Sequence, residues 1–156
     1  MTIKAVDRLP RAEETLIIRT DFADPAPWDK LRAIINDPYD VGSGAFVDDP
    51  RFAGLAPEQL LARLPRDYDG AIIAVADATT FASADLPLVI VYVDDDDEEN
   101  LAPPTDRFRC AAAAYAEVEV NLSLANVDFE DFLDAVGSDG VYRGLPPDER
   151  HLGTAT

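Results

Sequence analysis

Three aspartates, Asp21, Asp77 and Asp94, each stand directly after a short apolar run of the kind that forms a strand. Were those strands parallel neighbours, the three carboxylates would meet at one edge of a sheet, where open α/β folds bind their ligands. Like charges held together raise a pKa or call for a cation, and Mg²⁺, with its preference for oxygen ligands, suits such a set. That arrangement serves hydrolysis or phosphoryl transfer. Aspartate is also a common residue where a strand gives way to a turn, because its side chain accepts hydrogen bonds from nearby backbone N–H groups. In a chain this rich in aspartate the turn reading covers all three positions without a metal.

Two arginines are candidates for ligand binding. Arg19 lies within an apolar run and Arg109 beside one. A partly buried arginine pairs with a carboxylate, here Asp21 two residues from Arg19, or clamps an anionic ligand. Histidine-based nucleophile chemistry finds no support: the sole histidine, His151, falls in a stretch expected to fray, so no serine or cysteine has a positioned imidazole base. Cys110, the sole cysteine, sits among apolar residues and reads as a buried, inert thiol. It cannot form an intramolecular bridge, which fits a reducing, cytoplasmic setting. Residues 41–46, VGSGAF, lack the Lys-Ser/Thr of a phosphate-binding loop and do not directly follow a strand.

The elements that must position these residues follow from the spacing of apolar side chains. Residues 16–20, 71–76 and 88–93 are apolar on successive positions, as in strands covered on both faces. Residues 108–110 form a fourth short strand. The segment between the second and third strands is too short for a usual crossover with its own helix, so antiparallel and parallel pairing are both open. After the first strand Asp24 serves as an N-cap with Pro25 at the first helical position. Trp28, Leu31, Ile34 and Ile35 then share one helical face. A second helix spans 57–64, with Leu60, Leu61 and Leu64 inward and Pro65 as its stop. Residues 39–57 read as a long loop, broken by Gly42, Gly44, Pro50 and Gly54 and packing down through Phe46, Val47, Phe52 and Leu55.

Residues 112–119 read as a helix on the strength of the alanine run, although Val118, Val120, Leu122 and Leu124 alternate as in a strand. Asn126 or Asp128 caps a last helix with Phe129, Phe132, Leu133 and Val136 inward and Gly137 as its C′ residue. Trp28, Phe129 and Phe132 are core aromatics. The sum is a single α/β domain over 15–145, with a mixed sheet of about four strands and roughly three to four packed helices. Residues 1–14 form a flexible lead-in, 94–104 a solvated acidic loop and 146–156 a flexible tail.

Two segments have a familiar form in combination. TLIIRTDF at 15–22 is followed by Trp28, and NLSLANVDFEDF at 121–132 is followed by DGVYRG at 139–144, with FRC at 108–110 between them. Together they resemble an uncharacterised bacterial family, a domain of unknown function whose members share this order of motifs. The resemblance spans most of residues 15–145 and implies no activity. The chain departs from the pattern at AAAAYAEVEV, where a polar, tryptophan-bearing stretch is expected before NLSLAN.

Composition narrows the function classes. The chain has 31 acidic and 13 basic side chains, a formal net charge of −18, and lysine only at Lys4 and Lys30. Such a surface repels phosphate backbones, which excludes a nucleic-acid partner. The first residues lack the apolar stretch of a secretory signal and no run of 18 apolar residues occurs, so a soluble chain off the membrane is expected. The leading expectation is a non-catalytic accessory protein whose acidic face meets a partner with a basic surface, an inhibitor or immunity-type protein being one form. The alternatives are a Mg²⁺-dependent hydrolase or phosphotransferase using Asp21, Asp77 and Asp94, and a small-ligand protein in which Arg19 and Arg109 hold an anion.

Overall fold

The computed structural model of the protein describes residues 8–36, 44–93, 106–124 and 128–144. Six strands among these residues form one mixed sheet: β1 (Leu16–Arg19), β2 (Ala45–Val47), β3 (Ile72–Ala76), β4 (Leu88–Tyr92), β5 (Arg107–Cys110) and β6 (Val141–Tyr142). Their order is β2-β1-β3-β4-β5-β6. Strands β2, β1 and β3 are mutually parallel, β4 runs antiparallel to both β3 and β5, and β6 is parallel to β5. Five helices accompany them: α1 (Pro25–Ile35), α2 (Pro57–Leu61), α3 (Ala78–Ala82), α4 (Tyr115–Ser123) and α5 (Phe129–Asp134). The α/β class and the mixed sheet agree with the sequence pattern, while the sheet has two more strands than expected and the fold one more helix.

Alternate residues of the central strands feed two cores, one on each face of the sheet. Ile17, Ile72, Ala74, Ile90, Phe108 and Cys110 pack with Trp28 and Leu31 of α1, Tyr115 and Val118 of α4, and Phe129 and Phe132 of α5. Leu16, Ile18, Ile73, Val75, Val89 and Val91 pack on the other face with Leu60 of α2, Phe52 and Leu9. Each buried Val, Leu, Ile or Phe among these contributes roughly 1.5–3 kcal/mol by leaving water, which is why the central runs are apolar on both faces. Part of the lead-in joins this second core: Leu9 is buried and its N–H donates to the Arg63 carbonyl at 2.9 Å. Because α1 covers one face between β1 and β2 while α2 covers the other between β2 and β3, the chain is doubly wound over its parallel half.

Local chemistry sets the element ends. The Asp24 carboxylate accepts from the Ala26 N–H at 3.0 Å, with Pro25 at the first helical position. Helix α2 stops at Leu61, earlier than expected, because Pro65 disfavours helical backbone at Leu64 and the chain tightens through i→i+3 bonds at Arg63 and Leu64. The alanine run opens with a 3₁₀ turn, Ala112–Ala114, that runs into α4, so the helical reading prevails over the alternating one. In α5 the Asp131 carboxylate accepts from the Asp128 N–H at 3.2 Å.

Gly137 is not the C′ residue of that helix. The helix ends at Asp134, and Gly137 opens a turn in which the Gly140 N–H donates to its carbonyl at 2.9 Å and Gly140 takes the left-handed conformation at φ +81°. Strand β2 was hidden within the long loop because three residues show no period. Its approach to β1 requires Gly44, where a Cβ would collide with Cδ1 of the fully buried Ile17.

Candidate functional site

The parallel half of the sheet has its switch point between β1 and β3, and two of the three candidate carboxylates lie at that edge. The Arg19–Ala76 register places Asp21 and Asp77 just beyond the C-terminal ends of neighbouring strands. Strand β4 runs the other way, with Ile72 paired to Tyr92 and the Val93 N–H donating to the Ala71 carbonyl, so it ends at the opposite edge. Asp94 itself lies outside the described residues. The antiparallel pairing therefore does not provide the three-way convergence that parallel strands would.

Asp77 has two structural tasks. Its Oδ1 accepts from the Thr80 N–H at 3.0 Å while the Thr80 hydroxyl accepts from the Asp77 N–H at 3.1 Å, a reciprocal cap on the one-turn helix α3. Both carboxylate oxygens also accept from Arg109, at 3.0 and 2.8 Å, across the intervening strand β4. Burial alone would raise this carboxyl, but the Arg109 and Thr80 hydrogen bonds outweigh it and hold the group below the usual carboxylate range. Asp77 is thus an ionised, paired acceptor, unsuited to proton donation near neutrality.

The Pro87 carbonyl completes the cluster. It accepts from the Thr80 hydroxyl at 2.8 Å and from Arg109 Nη1 at 3.1 Å. Pro87 is presented by Leu86, which sits at φ +50°, a conformation costly for a leucine. The buried Leu86 side chain and the two bonds to the next carbonyl hold that conformation in place.

Arg19 is almost wholly enclosed, with its side chain 7% exposed. Nε donates to the Asp21 carbonyl at 3.0 Å, Nη1 to Asp48 Oδ1 at 3.1 Å and Nη2 to the Asp24 carbonyl at 3.4 Å. The guanidinium also lies 4.5 Å from the Phe22 ring centroid and 5.6 Å from that of Trp28. Its carboxylate partner is Asp48, beyond β2, and not Asp21, which contributes only its backbone carbonyl. The Asp21 carboxylate turns to the Ala23 N–H at 3.0 Å. Arg19 thereby fastens the β1–α1 turn to the end of β2, and Arg109 fastens α3 to β5. Among the described residues no three His, Cys, Asp or Glu side chains are grouped to hold a metal.

The opposite edge, where β1 and β3 begin, carries features the sequence reading missed. The Tyr68 hydroxyl accepts from the Leu16 N–H at 3.2 Å and donates to the Ile72 carbonyl at 2.6 Å, tying the starts of the two strands together. Beside it Glu119, 5% exposed, accepts at Oε2 from the Thr15 hydroxyl at 3.4 Å and from the Ser123 hydroxyl. Two adjoining hollows of about 650 and 420 Å³ open here, sharing Glu13 and Asp69. No spacing in the sequence joins Thr15, residues 68–71 and residues 119–124; the sheet register does so. Cys110 is fully buried, and burial pushes its thiol far above the ordinary range, as an inert cysteine requires.

No curated protein matches the chain. The sequence profile of a domain of unknown function, DUF6924, matches residues 14–145, from the residue before Thr15 to just past β6, and the protein belongs to that family.

Proposed function

We propose that the protein is a non-catalytic acidic accessory domain that binds another protein through that protein's basic surface, in the manner of an inhibitor or immunity-type protein, in the cytoplasm. The observation that carries this reading is how the cations are used. Arg11, Arg19, Arg51, Arg107, Arg109 and Arg143 are each bound to a carboxylate of this same chain. Among the described residues most of the other carboxylates are exposed, Asp21 and Glu117 being half-buried and Glu119 buried. Helix α5, for example, exposes Asp128, at its cap, with Glu130, Asp131 and Asp134, and has no basic residue of its own. A surface of this kind speeds encounter with a basic partner and rejects nucleic acid. No helix among the described residues is long and apolar enough to cross a membrane.

The test is affinity isolation with the full chain as bait at low salt, followed by titration of the purified partner at rising ionic strength. The reading expects a basic partner whose affinity falls as salt rises. A partner without a basic surface, or binding indifferent to salt, overturns it.

One observation favours a second reading, a Mg²⁺-dependent hydrolase or phosphotransferase: Asp21 and Asp77 share the ligand-binding edge of the parallel strands. That reading expects thermal stability to rise with Mg²⁺ and the rise to vanish in Asp21→Ala. An unchanged melting temperature in the wild type eliminates it.

A further inference from the structure

We infer that the groove beside residues 63–69 docks an extended peptide, that the chain's own lead-in occupies it in cis, and that a segment of the basic partner with leucine two residues before arginine displaces that lead-in; this rests on the function proposed above and names its docking point. Residues 8–13 run alongside residues 63–69 in the same direction. The Leu9 N–H donates to the Arg63 carbonyl at 2.9 Å, Arg11 pairs with Asp67, and Ala12 and Glu13 line the larger hollow of about 650 Å³ together with Asp67 and Asp69. Leu9 is 3% exposed and joins the core that contains Leu16, Phe52 and Leu60. The family match starts only at residue 14. The groove therefore belongs to the matched domain, and the segment seated in it is additional chain.

The seated segment shows what the groove accepts. Pro10 has a fixed φ and disfavours helical backbone at Leu9, so the segment is already extended before it docks. Its missing N–H costs nothing, because the anchoring donor is that of Leu9. The hold is light. Six residues are kept in place by one buried leucine, one backbone hydrogen bond, the partly buried Ala12 and an ion pair whose side chains are 80% and 55% exposed. A pair so exposed adds little, and a segment with few buried contacts opens well before the whole fold does. The lead-in also brings Glu13 to the hollow that Asp67 and Asp69 line, a like charge that a basic segment would not bring.

The experiment is an amide NMR titration of the ¹⁵N-labelled full chain at low salt, on the wild type and on Leu9→Ser. The probes are two heptapeptides, RLPRAEE, which is the sequence of residues 8–14, and its basic form RLPRAKK. The expected result is that Arg63, Leu64, Asp67 and Tyr68 shift first, and that RLPRAKK binds more tightly than RLPRAEE. Both should bind Leu9→Ser at least about tenfold more tightly than the wild type, because a cis occupant divides the apparent affinity by the fraction of groove left open. Equal affinities for the two chains, or a preference for RLPRAEE, overturn the inference. Leu9→Ser binding neither peptide overturns the groove, while the salt-dependent binding of the isolated partner stands or falls on its own test. If Leu9→Ser does not fold, hydrogen exchange of the wild type decides: the Leu9 amide should exchange at least about a hundredfold faster than that of Ile17 in β1, and equal rates overturn the displaceable lead-in.

Discussion

Removing the Asp77 carboxylate separates a structural rivet from a catalytic acid. Asp77→Ala deletes the cap of α3, a loss of about 1 kcal/mol. It also deletes the two-pronged bond to Arg109. Charge-assisted hydrogen bonds contribute about 1.5–3 kcal/mol when shielded. The two side chains are 32% and 27% exposed, so solvent screening reduces this to about 1–2 kcal/mol. The sum, about 2–3 kcal/mol, corresponds to a fall of roughly 6–12 °C in melting temperature for a domain of this size. Asp77→Asn keeps a capping side chain and loses only the ionic part, so it should fall by about half as much.

The natural probe is the fluorescence of Trp28, the sole tryptophan, which is buried between α1 and the sheet. A cycle with Arg109→Met should show coupling of about 1 kcal/mol. The pH dependence has a definite sign. The folded-state pKa of Asp77 is depressed, so its contribution is present above the ordinary carboxylate pKa of about 4 and is lost as pH falls below it. The gap between wild type and Asp77→Asn should therefore narrow in acid. Equal melting temperatures for wild type and Asp77→Ala, or additive effects of Asp77→Asn and Arg109→Met, would refute the reasoning.

Other consequences are simpler. Gly44→Ala should destabilise by about 1–3 kcal/mol in urea unfolding, because its new methyl meets the Ile17 side chain, which is fully buried and has packed neighbours on every side. Arg19→Ala should lose about 2–4 kcal/mol, removing the donor that ties the Asp21 and Asp24 carbonyls to the Asp48 carboxylate, whereas Arg19→Lys should recover only part of this, since an ammonium cannot span three acceptors in a plane. The Cys110 thiol should resist a thiol reagent in the native protein and react only as the chain opens, which hydrogen exchange at Cys110 can check independently.

Continuous apolar runs made β1, β3 and β4 legible, because a strand covered on both faces needs no alternation. Strand β5, read as a short strand over 108–110, is of the other kind: it alternates, with Phe108 and Cys110 turned to the α1 side and Arg107 and Arg109 to the other. Strand β2 left no comparable trace: three residues behind a close-packed glycine look like loop. Helix α3 was concealed for a related reason. Asp77 was recognised as a strand-end aspartate, but its partner three residues on, Thr80, marks a capping box within the same four letters. The candidate residues were picked out, while their pairing was not. Arg109 and Asp77 stand 32 residues apart and Arg19 and Asp48 stand 29 apart, so only the strand order brings them together. The hollow around Glu119 is further still from any linear signal, being assembled from three separate stretches at one sheet edge.

The central claim, docking by charge rather than chemistry at the strand ends, meets its most direct test in the affinity of the isolated partner measured as a function of salt. The account predicts a basic partner whose dissociation constant climbs steadily with ionic strength and is the same with and without Mg²⁺. A salt-independent constant, or binding that appears only with Mg²⁺ and disappears in Asp21→Ala, would contradict it.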